Sequence, residues 1–241
     1  MRPVILAAAI LFSIAAVAYS LMNRSRPRPD DWTTAFRIES GELQSSGSNP
    51  WFSLEAGHSL TLEDENTRLD ITVLDETRVI EGVETRVVEE RESEDGQLAE
   101  VSRNFFAISR RTGSVFYFGE EVDIYRDGRV VSHEGAWESG VNGAHFGLMM
   151  PGVPLIRGRY YQEIAPGVAM DRAEVIRLDD TLRVADGRLL ADLLRIEESS
   201  PLEPGVHESK LYAPGLGLVR DGSLRFTAVS RAGGRAAGST F

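Results

Sequence analysis

From residue 59 onward the chain alternates apolar and polar residues in short runs, separated by turns rich in glycine, proline and aspartate. One series of runs covers 59–63, 68–74, 83–92, 98–108 and 114–118, and a second covers 160–164, 173–178, 189–196, 208–212 and 217–220. Side chains of a strand point alternately to two faces, so short alternating runs broken by turns predict an antiparallel all-β fold. Asp95-Gly96 and Asp127-Gly128 are two-residue hairpin signals, because a type I′ turn needs positive φ at both central positions. Pro214-Gly215 suits a type II turn, with proline presetting one φ and glycine supplying the positive one. Leu189, Leu190, Leu193 and Leu194 have helical spacing, but their counterparts in the first series, Val83, Thr85, Val87 and Val88, favour a strand.

The two series echo one another. Leu74-Asp75-Glu76-Thr77 matches Leu178-Asp179-Asp180-Thr181, and Asn104-Phe105-Phe106-Ala107 matches Lys210-Leu211-Tyr212-Ala213. Pro50, Leu54 and Gly57 match Pro151, Leu155 and Gly158. This reads as an internal duplication, with halves at about 49–140 and 150–230 joined by the glycine-rich stretch 140–152. The first half carries an extra hairpin, 123–126 with 129–133. The expected fold is two pseudo-repeats of about five strands forming one curved sheet, half-barrel or sandwich, since open sheets of about ten strands curl or split.

Before the β-domain, residues 4–22 are uncharged and apolar, about the length of a bilayer-spanning helix. Ala16-Val17-Ala18 has the small-x-small form of a signal-peptidase site, so the segment reads as an N-terminal apolar helix acting as signal peptide or membrane anchor. Residues 23–48 read as a linker in which Trp32, Phe36 and Ile38 could dock, and 231–241 as a flexible tail. The expected location is the periplasmic or extracellular side. The formal net charge is −11, and all 37 acidic residues lie at or beyond Asp30, whereas Arg2, Arg24, Arg26 and Arg28 precede it. So acidic a domain repels polyanions, which argues against nucleic acid as a partner. There is no cysteine, so disulfides, thiolate metal sites and catalytic thiols are excluded. Lys210 is the single lysine of the chain.

No motif points to a reaction. Tyr212-Ala213-Pro214-Gly215-Leu216-Gly217 contains G-x-G but neither the third glycine nor the helix of a nucleotide fingerprint. The four histidines are not spaced as metal ligands, and Gly113-Ser114-Val115 lacks the second glycine of a nucleophile elbow. The expectation is therefore no catalytic residue, no metal and no cofactor. His133-Glu134 beside Trp137 is the most site-like group, although a solvated hairpin end is the commoner meaning of such a pair. The acidic groups Glu63-Asp64-Glu65 and Glu120-Glu121 with Asp123 could take calcium but lack an alternating ligand loop. Strand aromatics, Phe106, Tyr117 and Tyr212 among them, populate both faces of the sheet, so one face must be covered or must form a concave ligand-binding surface.

The segments Asn49-Pro50-Trp51-Phe52, Asn104-Phe105-Phe106-Ala107, Val131-Ser132-His133-Glu134-Gly135-Ala136-Trp137 and Leu202-Glu203-Pro204-Gly205, with the closing phrase Tyr212-Ala213-Pro214-Gly215-Leu216-Gly217-Leu218-Val219, resemble a family of uncharacterised exported bacterial β-proteins. The resemblance spans 49–219 and implies an antiparallel β-fold and export, with no activity attached. The leading expectation is a non-catalytic envelope protein that binds an apolar small molecule or a protein partner through His133, Glu134, Trp137, Phe106, Tyr117 and Tyr212, with the membrane contacted through 4–22 if that segment is uncleaved. The alternatives are an envelope hydrolase with its site near His133 and Glu134, or a calcium-stabilised structural protein.

Overall fold

The computed structural model describes residues 32–231. The apolar segment 4–22, with its expected helix, and the tail from 232 lie outside the described residues. Among the described residues no helix is long and apolar enough to cross a membrane.

The domain is all-β and consists mainly of one 16-stranded antiparallel sheet. Its continuous path uses β1 (Ser59–Glu63), β2 (Thr67–Ile80), β3 (Val83–Glu94), β4 (Gln97–Ser109), β5 (Val115–Arg126), β6 (His145–Met150), β7 (Arg159–Tyr161), β8 (Glu163–Ile164), β9 (Arg172–Arg183), β10 (Leu189–Ser199), β11 (His207–Ala213), β12 (Gly217–Asp221) and β13 (Leu224–Ser230). Sequential neighbours pair from β1 to β6 and again from β9 to β13, and β13 returns to β1 with Phe226 opposite Leu62. The two free ends meet at a corner: β8 pairs with β6, β7 pairs with β9, and only Gln162 separates β7 from β8. The sheet is thus nearly closed as a barrel, which leaves few unpaired edges.

Gly147 of β6 lies at this seam, where a Cβ would stand 2.2 Å from the Gln162 carbonyl oxygen. Gly147→Ala should therefore lower stability by about 3 kcal/mol, read as a depressed denaturation midpoint with an unchanged slope, because backbone there cannot retreat. Wild-type stability in this variant would show that the seam opens freely.

The turn chemistry read from the sequence is realised. Asp95 and Gly96 have φ of 49° and 77°, Asp127 and Gly128 have 53° and 72°, and Gly215 has 74°. The leucine-rich stretch is strand β10, and the extra hairpin of the first half forms between β5 and Arg129–Ser132. Part of the presumed linker is built onto the barrel: Leu43–Gln44 pairs with β4. There Phe36, Ile38 and Leu43 pack over Val83, Phe105, Phe116 and Phe118. A separate apolar cluster draws Val73, Val88, Phe106, Tyr117, Val175 and Tyr212 from strands all around the ring, so it fills the interior. The aromatics therefore line no exposed concave face. Strand alternation sends Phe116 and Phe118 outward under the N-terminal segment and Tyr117 inward, and both layers are buried.

In both series the residue at the echoed Asn104/Lys210 position is flanked in the sheet by one apolar and one acidic residue. Asn104 lies between Val88 and Glu120, and Lys210 lies between Ile196 and Asp221. Both β2 and β9 break register at the echoed Leu-Asp-Glu/Asp-Thr segment.

Candidate functional site

Followed along the inward face, each central strand passes from apolar to acidic in the same direction. On β3 the order is Val88, Glu90, Glu92, and antiparallel β4 answers with Asn104, Ser102, Glu100 opposite them. On β10 it is Leu194, Ile196, Glu198, with Tyr212, Lys210 and Glu208 opposite on β11. A β-bulge in β5 sets Tyr117 opposite Phe106 and Glu120 opposite Asn104, and a bulge between β11 and β12 sets Leu218 opposite Tyr212 and Asp221 opposite Lys210. The period of two thus gives the interior an apolar floor and an acidic end.

The acidic end holds a cavity of about 300 Å³ lined by Glu90, Glu92, Glu100, Glu208 and Asp221. A smaller space of about 70 Å³ continues from Glu90 and Asp221 past Lys210 to Trp51, Ile71, Met149 and Tyr212. A third cavity of about 280 Å³ is lined by Glu120, Trp137, Phe105 and Arg78.

Among the described residues one cation, Lys210, is built into this acid. Lys210 Nζ lies 2.8 Å from Glu198 Oε2 and 3.4 Å from Asp221 Oδ2, with the three side chains 19%, 11% and 15% exposed. Gln162, at the barrel seam, donates from Nε2 to Glu198 Oε1 at 2.8 Å. Burial alone would lower the Lys210 pKa, but the Glu198 and Asp221 carboxylates more than reverse this and hold it well above the ordinary lysine value.

The remaining acids have no such partner. Among the described residues no ion pair reaches Glu90, Glu120 or Glu163. Burial, reinforced by Asp221, Glu100 and Glu198 against the pull of Lys210, raises Glu90 to about 7. Burial likewise raises Glu120 to about 7, opposed by the Tyr117 hydroxyl and reinforced by Glu90, Glu100 and Asp171. Glu163 is pushed well above the carboxylate range by burial and by Glu120, Asp171 and Glu198. The Tyr117 hydroxyl donates to Asn104 Oδ1, and Asn104 Nδ2 donates to the Val88 carbonyl at 3.3 Å and to Ser102 Oγ at 3.2 Å.

Of the residues singled out in the sequence, Phe106, Tyr117, Trp137 and Tyr212 converge in the interior cluster. The Phe106 and Tyr117 rings are 4.6 Å apart, and Tyr117 meets Trp137 edge to face at 5.3 Å. His133 and Glu134 do not join them. His133 is exposed at the outer end of the hairpin, paired with Asp123 at 2.9 Å, and Glu134 is exposed beside it. The acidic turns do not form calcium cages either: Glu120 points into the barrel while Glu121 pairs with Arg78, and Glu63 pairs with Arg68. Among the described residues no group of three or more histidine, aspartate or glutamate side chains is arranged to hold a metal ion.

No protein-family model matches the chain, and no match is found among curated proteins or solved structures. Sequence reasoning passed over Glu90, Glu163, Glu198 and Asp221, met Glu120 only within an acidic turn, and met Lys210 only as the single lysine. Their signal lay in carboxylates continuing the apolar phase of alternating strands, as in Val88-x-Glu90-x-Glu92, and in the position of the single lysine.

Proposed function

We propose that this chain is a non-catalytic binding protein of the bacterial envelope that holds a small molecule with an apolar portion inside its barrel. The observation that carries this reading is the graded inward face, an aromatic and aliphatic floor opening into a water-accessible acidic end. Ligand sites are typically concave and apolar with a few placed polar groups, and this interior has that composition. The two halves arose by duplication, a view supported by the apolar and acidic sheet neighbours that flank both Asn104 and Lys210 and by the echoed strand segments.

Residues 4–22 deliver the domain across the membrane or tether it there. The described chain joins the barrel at Thr33, whose N–H donates to the Arg159 carbonyl. Exposed Val153, Leu155 and Ile156 lie just before that point, as expected of a domain held close to a lipid surface. Native mass spectrometry of the full chain, gently extracted from its own host's envelope, tests the function. A reproducible additional mass of small-molecule size is expected, and a sharp bare mass under conditions that keep the fold would overturn the reading.

A further inference from the structure

In the second half Glu198 and Asp221 share the ammonium group of Lys210. The first half repeats the carboxylates without the cation. Glu120 stands opposite Asn104 as Asp221 stands opposite Lys210. Glu90 sits two residues beyond the partner of Asn104, as Glu198 sits two beyond the partner of Lys210. Asn104 is neutral, 5% exposed, and occupied by Tyr117, Val88 and Ser102, so it cannot take over the charge. Resting on the reading of the interior as a ligand site, we infer that the barrel binds an organic amine, its primary ammonium group received by Glu90 and Glu120 where the first half lacks a lysine.

Two polar groups of the interior cluster belong to no carboxylate pair and lack hydrogen-bond partners. The Tyr160 hydroxyl, on a residue 4% exposed, has no hydrogen-bond partner and lies in the field of Glu198. Trp137 Nε1, on a residue 7% exposed, also lacks a partner; the indole packs on Tyr117 and shares a cavity lining with Glu120. An amine carrying a further polar atom would serve these groups, and the aromatic faces of Phe106, Tyr117 and Trp137 suit a cation and its alkyl chain. Access is provided by the acidic cavity, which includes Glu90 and whose other carboxylates, Glu92, Glu100 and Glu208, concentrate cations.

The test titrates the full chain in mild detergent with n-hexylammonium and with n-hexanol, a neutral probe of equal length, by calorimetry. Hexylammonium is expected to bind at least about tenfold more tightly than hexanol, since a buried charge pair outweighs a neutral contact. Asn104→Lys supplies the missing cation from within and should weaken hexylammonium at least tenfold while leaving hexanol unchanged. Glu65→Gln, the same change in net charge at an exposed turn, should leave both affinities as they were. If Asn104→Lys does not fold, Glu120→Gln reads the same loss. Equal affinity for the two probes would overturn the amine inference while leaving an interior ligand site in place. Preferential hexylammonium binding that survives both interior variants would place the cation on the outer surface and overturn it as well. Should neither probe bind, the amine inference fails, and the native mass then decides the fate of the interior site by itself.

Discussion

Lys210→Met is expected to destabilise the protein by about 3–5 kcal/mol, the range for removing one member of a buried ion cluster. The lysine is the shared partner of Glu198 and Asp221, all three side chains being at least four-fifths buried. Methionine keeps the length of the stem but leaves two carboxylates facing each other and Glu208 without a cation between them. Equilibrium denaturation at pH 7.5 reads the loss. Part of it should return at acid pH, where the orphaned carboxylates take up protons instead. A further variant that also replaces Glu198 and Asp221 by leucine should recover most of the stability, because a buried ion cluster contributes little beyond an apolar one of equal volume. A loss below about 1 kcal/mol for Lys210→Met would mean that water at the acidic end already solvates the carboxylates.

The melting temperature is expected to rise as pH falls from 8 to 5, opposite to ordinary acid sensitivity. Glu90 and Glu120 have folded-state pKa values of about 7 against 4.5 in the unfolded chain. A raised carboxyl pKa means that the folded state holds more protons between these limits, so its contribution is fully present below 4.5 and is lost as pH rises through 7. Each such shift corresponds to about 3 kcal/mol, and coupling between the two leaves a few kcal/mol for the pair. The groups facing Glu90 are Glu100 on β4, Glu198 on β10, Lys210 on β11 and Asp221 on β12, and only the lysine favours ionisation. Asp70 and Asp180, lowered below 3.8, work the other way at still lower pH, which places maximum stability near pH 5. Glu90→Gln with Glu120→Gln should flatten the profile between 5 and 8. A wild-type profile already flat there would show both carboxyls ionised and hydrated in the folded protein.

How much of this was legible beforehand differs from residue to residue. The turns at Asp95-Gly96, Asp127-Gly128 and Pro214-Gly215 were legible because positive φ is a local requirement that few residues meet. The choice of strand for 189–196 came from the echo of 83–92, where β-branched residues replace leucine. For the strand aromatics Phe106, Tyr117, Trp137 and Tyr212 the sequence left open whether their face is covered or forms a concave surface, and all four are buried. Which face of a strand is covered depends on a segment as remote as Phe36 and Ile38. His133 and Glu134 attracted notice through adjacency in the chain, yet adjacent residues in a strand separate across its faces, and here both end in solvent. Glu90 went unremarked, and Glu120 and Lys210 were noted without an interior role, because an acidic chain offers many carboxylates, and single-strand alternation assigns them to a face without saying what that face meets.

The sequence by itself determined the all-β class, most strand positions and the hairpins, since each of these follows from periodicity and turn stereochemistry within a few tens of residues. Only the tertiary structure decided that β13 returns to β1, that Gln162 bridges the remaining gap, and that Glu90, Glu120, Glu163, Glu198 and Asp221 share one interior with a single lysine. The physical reason is that a near-closed ring turns one face of every strand toward a common, poorly hydrated space. There charges far apart in sequence first act on one another, and an unpaired carboxylate becomes costly.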